Sequence, residues 1–173
     1  MDLFEAIESR RSIRAYTGED VSEEDVRRLI DAARKAPSAG NIQPWEFIVV
    51  RNPEIKRKLA SAALNQTFIE EAPVVIVVCA DTERSWRRYG SRGAELYCIQ
   101  DTAAAIENLL LASCALGLGA CWVGAFHEEG VRKALEIPEG VRPVAIIPVG
   151  HPAERPKPRP KRPLEEIIHY ERY

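Results

Sequence analysis

The chain has little of what several functional classes require. Its 173 residues carry 1 Met, 4 Cys and a net charge of only −2. No apolar run approaches the roughly 18 residues of a membrane-spanning helix. Met1-Asp2-Leu3-Phe4-Glu5 has no signal-peptide character, so the expected location is the cytoplasm. With no excess of cations, neither nucleic acid nor a membrane surface is an expected partner, and any anion site must be local. Cys79, Cys98, Cys114 and Cys121 stand among apolar neighbours without a C-x-x-C pair. They read as reduced, buried thiols, and no metal site is expected.

Catalytic signatures are missing as well. There is no GxxxxGK[ST] sequence, which excludes a P-loop nucleotide site. There is no GxSxG, and His127, His151 and His169 fall in loops or the tail, away from any Ser or Cys nucleophile pattern. Hydrolysis by a triad is therefore not expected. No pair of carboxylates stands out for acid–base work, and no side chain is assigned as catalytic. Polar ligand-binding loops without an acid, base or nucleophile leave the chemistry to a cofactor.

What is present is a globular chain, 46% hydrophobic and 29% charged. Its length suits one domain, residues 1–150, with a C-terminal arm at 151–173. Asp2 is placed to cap a short helix ending at Ser9, with Leu3, Phe4 and Ile7 on one face. Ser22 to Asp25 resembles a capping box before a helix whose stripe is Val26, Leu29, Ile30 and Ala33, stopped by Pro37. Trp45 to Val50 reads as a strand. Pro53 opens a third helix with Ile55, Leu59 and Ala62 or Ala63 inward, broken at Asn65-Gln66. Val74 to Ala80 is a continuous apolar run, the pattern of a strand buried on both faces.

Asp81 to Gly93, polar and Arg-rich, reads as a loop or small mobile helix. Glu95 to Leu116 is a long helix with hardly any polar face, as expected of a central or interface helix. Gly117 ends it. A short strand at Ala120 to Val123, a short helix at Val131 to Leu135 and a strand at Val144 to Val149 follow. His151 to Pro163 holds five prolines and must be extended. Leu164, Ile167, Ile168 and Tyr170 then form an apolar anchor. Such an arm has little to pack on in a small monomer, which suggests that it crosses to a second copy of the chain.

Two segments carry most of the chemical signal. Arg10-Arg11-Ser12-Ile13-Arg14 sets three guanidiniums and a hydroxyl at the end of the first helix, a combination suited to phosphate. Taken alone, it equally fits a solvated helix end. Pro37-Ser38-Ala39-Gly40-Asn41-Ile42-Gln43-Pro44-Trp45 is a polar loop whose Asn41 and Gln43 suit the donor and acceptor edge of a heterocycle. It also fits a plain helix-to-strand loop. Gly124, after the Gly117–Val123 turns, would let a backbone N–H approach a ligand closely.

These segments, in this order, together with Glu71-Ala72-Pro73 and the basic Pro-rich arm before Pro163-Leu164-Glu165-Glu166, resemble the nitroreductase family of flavin enzymes. The resemblance covers nearly the full chain. It implies an α+β fold, a mixed central β-sheet flanked by helices, built as an intertwined homodimer with exchanged C-terminal arms. It implies FMN at the dimer interface and NADH or NADPH as reductant. Arg10, Arg11, Ser12 and Arg14 would hold the phosphate and the ribityl–pyrimidine side, joined at the phosphate by Arg159, Lys161 and Arg162 of the arm. Pro37, Ser38, Ala39 and Asn41 would pack on the flavin from the partner subunit, and Asn65 would address the pyrimidine edge. Trp122, Val123 and Gly124 would line the other side, with a backbone N–H near the reactive nitrogen.

The implied reaction is a two-step hydride transfer to a nitroaromatic, quinone or related small-molecule acceptor. Two alternatives stay open at this point. One is the same flavin fold with a different reaction, heterocycle oxidation or reductive dehalogenation; the other is a flavin-binding module without turnover. The chain departs from the resemblance in its short covering segment, for which Trp86 and Tyr89 are the candidate pocket residues. It has Gln66-Thr67-Phe68 where some relatives carry a Lys.

Overall fold

Strand β2 (Val74–Asp81) and strand β4 (Val141–Gly150) form the centre of a four-stranded sheet of order β1-β2-β4-β3. β1 is Trp45–Val50 and β3 the two residues Gly119–Ala120. All three strand pairs are antiparallel. The parallel component is a single pairing, Ser12 beside Ala120 at the β3 edge. This computed structural model describes residues 1–173.

The apolar run 74–80 is buried on both faces, as its composition requires. Val74, Ile76 and Val78 point into one core, with Ala145, Ile147 and Val149 of β4. Val75, Val77 and Cys79 point into the other, with Ile146. Helices α2 (Glu23–Ala33) and α6 (Cys98–Ala115) cover the first face through Val26, Leu29, Ala105 and Leu109. The second face is covered by α3 (Pro53–Ala62), α4 (Phe68–Glu71) and α7 (Glu128–Leu135), through Leu59, Ile69 and Val131. The product is an α+β domain of three layers.

Local chemistry sets the helix boundaries. Asp2 and Glu5 form a reciprocal capping box at the start of α1 (Leu3–Ser9), each carboxylate accepting the other's backbone N–H at 2.9 Å. The Ser22 hydroxyl accepts the Asp25 N–H, and Asn52 caps α3 ahead of Pro53. Leu64 and Asn65 then take left-handed backbone angles of φ 59° each, which ends α3. Gly117, at φ 75°, closes α6.

One expectation is narrowed and two need correction. Of the loop or small helix expected at Asp81–Gly93, the helix forms: Thr82–Arg92 is α5, capped by the Asp81 carboxylate on Arg84 N–H at 2.8 Å, with a break at Gly90. Only Ser85 of it is buried. The strand expected at Ala120–Val123 shrinks to Gly119–Ala120 plus one pairing of Val123 with Ile146. β4 starts earlier than Val144 because a bulge between Val78 and Cys79 admits Pro143, which has no N–H to give. The apolar face of α1 stays uncovered within one chain: Leu3, Phe4 and Ile7 are all exposed.

The edge strand β3 fits tightly against the Arg-rich segment. A Cβ on Gly119 would lie 2.7 Å from Ile13 Cγ1. Gly119→Ala is therefore expected to cost about 1–3 kcal/mol, read as a lower urea midpoint at unchanged m-value.

Candidate functional site

The segment after α1 runs along the β3 edge. Ile13 N–H donates to Ala120 C=O at 3.0 Å, which aligns Ser12 with Ala120 and sets Arg14 one residue further on. The Tyr16 hydroxyl ties the same segment to the sheet, donating to the Ile13 and Pro148 carbonyls at 2.8 and 3.3 Å. Burial pushes the Tyr16 phenol well above its ordinary range, so it stays protonated as a brace.

Three sequence-distant segments meet here. The Arg14 guanidinium lies over the Phe68 ring, 5.8 Å from its centroid. Gln66 donates from its amide to the Ala125 carbonyl at 3.2 Å, joining the Asn65 turn to Gly124-Ala125. Cys121 is buried beside them; desolvation raises its thiol pKa, against the opposing pull of Arg14, Ser12 and Arg10. This thiol is a protonated wall and not a nucleophile.

Several donors in this group are unspent. The Gly124 N–H makes no hydrogen bond, whereas the Val123 N–H is used by Ile146 C=O at 3.0 Å. Of the residues expected to line this side, Trp122 and Gly124 therefore have free backbone donors; Val123 is buried and Trp122 is 39% exposed. Asn65 is exposed and its amide has no partner. The arginines divide. Arg10 faces Glu107 of α6 at 4.0 Å. Arg11 turns back, donating to the Glu8 and Arg10 carbonyls at 2.6 and 2.8 Å, where it caps α1. One carboxylate intrudes: Glu154 accepts the Arg14 N–H.

The other candidate segment lies elsewhere. The Ser38 hydroxyl accepts the Gln43 N–H at 3.0 Å, and the Gln43 amide donates to Asn41 C=O at 3.3 Å. Gly40, Asn41 and Gln43 all have φ 56°. Arg84 and Arg88 of α5 hold the Ile42 and Gly40 carbonyls, at 2.6 and 3.4 Å. A Cβ on Gly40 would meet the Tyr89 hydroxyl at 2.5 Å, so a side chain here would have to displace the Tyr89 and Arg88 side chains. Asp101, near the start of α6, accepts the Ala39 N–H at 3.0 Å. Pro37 and Asn41 are exposed and Ser38 and Ala39 half-buried. Trp86 is 60% exposed on α5, and Tyr89 stacks edge-on against Tyr97.

Sheet register separates the two segments. The Ser38–Gln43 turn leads into Trp45, which pairs with Ala80, itself opposite Arg142. The Arg segment pairs with Ala120, opposite Val149. Strand spacings put them about 19 Å apart across the sheet and about 23 Å apart along it. They occupy opposite corners of one sheet, with the hydrophobic core between them. Only the first residues of the arm reach a corner, Glu154 accepting the Arg14 N–H. Residues 151–153 pair with the chain's own Ala15–Thr17. No hydrogen bond or ion pair links residues 155–173 to the rest, and Arg162 pairs only with Glu166. Arg159, Lys161 and Arg162 are all exposed.

The family model for the nitroreductase family matches residues 7–68 and 60–151. The chain belongs to the nitroreductase family. A member from Methanothermobacter thermautotrophicus, provisionally named NADH dehydrogenase/NAD(P)H nitroreductase, is 42% identical over 163 residues, 92% of this chain and 82% of that protein. The FMN reductase [NAD(P)H] of Bacillus subtilis is 31% identical, covering 99% of this chain and 74% of its own. Among solved structures, the NADPH:FMN oxidoreductase of Vibrio harveyi complexed with NAD+ superposes with a TM-score of 0.91 at 27% identity, covering 99% of this chain and 77% of that one.

Sequence reasoning missed Asp101, Glu154 and Phe68 as parts of these corners. Asp101 had a signal, a lone carboxylate in the first two turns of α6. Burial pushes its carboxyl pKa up. A carboxyl raised in the folded state gives full stability below its unfolded pKa and loses it as pH rises through the folded value. Asp101→Asn does not ionise, so its stability relative to wild type is expected to increase as pH rises through about 4 and above. Parallel denaturation curves from pH 3 to 7 measure this; a pH-independent difference contradicts it.

Proposed function

We propose that this nitroreductase-family protein is an FMN-dependent oxidoreductase that takes electrons from NADH or NADPH, with its sites shared between two copies of the chain. The observation that carries the reading is the separation of two ligand-like corners on one sheet. One has unspent cationic and N–H donors, the other a polar turn in left-handed backbone. A two-fold axis brings the first corner of one subunit to the second corner of its partner. The exposed α1 face (Leu3, Phe4, Ile7) and the detached arm with Leu164, Ile167 and Ile168 supply apolar surface for such contact. The flavin chemistry is supported by the relatives' names, FMN reductase and NADPH:FMN oxidoreductase.

The donor set fits a phosphorylated, amide-edged ligand. Arg10, Ser12 and Arg14 suit its anionic part, with Arg159, Lys161 and Arg162 of an arm closing over the phosphate. Arg11 contributes through the helix end that it caps. Asn65 offers an amide to a heterocycle edge, and Gly124 its unspent N–H beside Trp122 and Val123. Pro37, Ser38, Ala39 and Asn41 of the partner corner would close the opposite side and exclude water. When bound, FMN supplies hydride transfer from NAD(P)H and on to a nitroaromatic, quinone or related acceptor. The cationic Arg14 favours whichever ligand state gains negative charge. No side-chain acid is required, because solvent can supply protons once hydride has moved.

Two measurements test the reading. Purified protein reconstituted with FMN should be yellow and bleach anaerobically with NADH or NADPH; a colourless protein contradicts the proposal. Arg14→Ala should weaken FMN binding roughly 10- to 150-fold, the worth of about 1.5–3 kcal/mol for a charged hydrogen bond. Arg34→Ala, which breaks only the exposed pair with Asp31 on α2, is the control and should bind as wild type. Equal affinities in the two variants contradict the role of Arg14.

A further inference from the structure

We infer that Asp101 is a positioning residue for the cofactor wall: through the Ala39 amide it fixes where the Ser38–Asn41 turn stands against the flavin. This rests on the reading that the turn meets FMN.

The geometry singles Asp101 out. It is 7% exposed, near the start of a helix whose other buried residues carry no charge. Its Oδ1 accepts the Ala39 N–H at 3.0 Å, while Oδ2 is buried with no partner at all. A buried carboxyl with one unsatisfied oxygen is a costly choice at a position where an aliphatic side chain would suit the helix. Local departures of this kind concentrate at functional sites. Stability does not account for this residue; the loop it holds does.

That loop needs an external restraint. Gly40, Asn41 and Gln43 sit in left-handed backbone, at φ 56°, unfavourable for the two with side chains. Arg84 and Arg88 grip carbonyls in its second half, from a helix broken at Gly90. Asp101 is the only side chain that grips the backbone of its first half, where Ser38 and Ala39 lie. It does so from α6, an 18-residue helix anchored in the core. The turn is thus indexed to the longest helix of the domain, and a shift of about 1 Å in a positioning group is enough to degrade a site.

The test uses full-length protein titrated with FMN, followed by flavin fluorescence and the visible absorption band. Asp101→Asn keeps an acceptor for Ala39; Asp101→Leu fills the volume and removes it. Ala39→Pro deletes the same hydrogen bond from the donor side, and the extended backbone of Ser38 (φ −141°, ψ 152°) is compatible with a following proline. Expected are a loss of FMN affinity of at least tenfold in Asp101→Leu and in Ala39→Pro, with a shifted flavin band. The double variant should lose no more than either single one. Asp101→Asn should stay within about threefold of wild type, and the apo-protein of Asp101→Leu should melt no lower than wild type. Wild-type affinity in Asp101→Leu overturns the inference, as does an Asp101→Asn that falls as far. Should Asp101→Leu not fold, Ala39→Pro decides by the same criterion. Wild-type protein that takes up no FMN overturns both this inference and the reading beneath it.

Discussion

Val74–Cys79 of β2 and Ala145–Val149 of β4 are shut off from solvent on both faces. Their backbone N–H and C=O groups have only neighbouring strands to bond with, so their antiparallel register is firmly specified. Everything that bears on function is indexed to that pair. β1 flanks it on one side and delivers the Ser38–Gln43 turn to one corner. β3 flanks it on the other and holds the Arg10–Arg14 segment at the opposite corner. Shifting the register by one residue would invert every side chain of both cores.

The fold was largely legible because its strongest signals are local and redundant. Caps at Asp2, Ser22 and Asn52 and breaks at Asn65 and Gly117 agree with the periodicity of what lies between them. The run 74–80 allows no other reading. Helix α5 was legible only as an alternative to a loop, because the segment is rich in arginine and only Ser85 of it is buried. The site was half legible. Arg10, Ser12, Arg14 and Gly124 carry their chemistry in residue type. Which backbone N–H is spent, that of Val123 and not that of Gly124, depends on the single pairing with Ile146, which no sequence pattern records. The inward turn of Arg11 onto α1 is equally a matter of local geometry.

The two corners differ in how they are built. The Arg corner is braced by neutral hydrogen bonds from Tyr16 and by the sheet edge itself, leaving the Arg14 guanidinium without an ion-pair partner. The turn corner is strained and gripped from outside by α5 and α6. A polar turn with three left-handed residues is poorly stabilised by itself, and its restraints include a buried carboxyl with an unpaired oxygen. Unfavourable backbone and unsatisfied polarity coincide at this turn. The arm shows the same logic. Its first residues are tied to Ala15–Thr17, and everything after Glu154 is left without a partner in its own chain.

The central claim is that one cofactor site draws its two halves from different subunits. Complementation in a mixed dimer tests it most directly. A subunit carrying Arg10→Ala and Arg14→Ala is co-expressed with a differently tagged subunit carrying Gly40→Val, and the heterodimer is isolated through both tags. Each parent homodimer should bind FMN poorly. The account predicts that the heterodimer regains one tight site, formed by the intact Arg corner of one subunit and the intact turn of the other. A heterodimer that binds no better than its parents would contradict it.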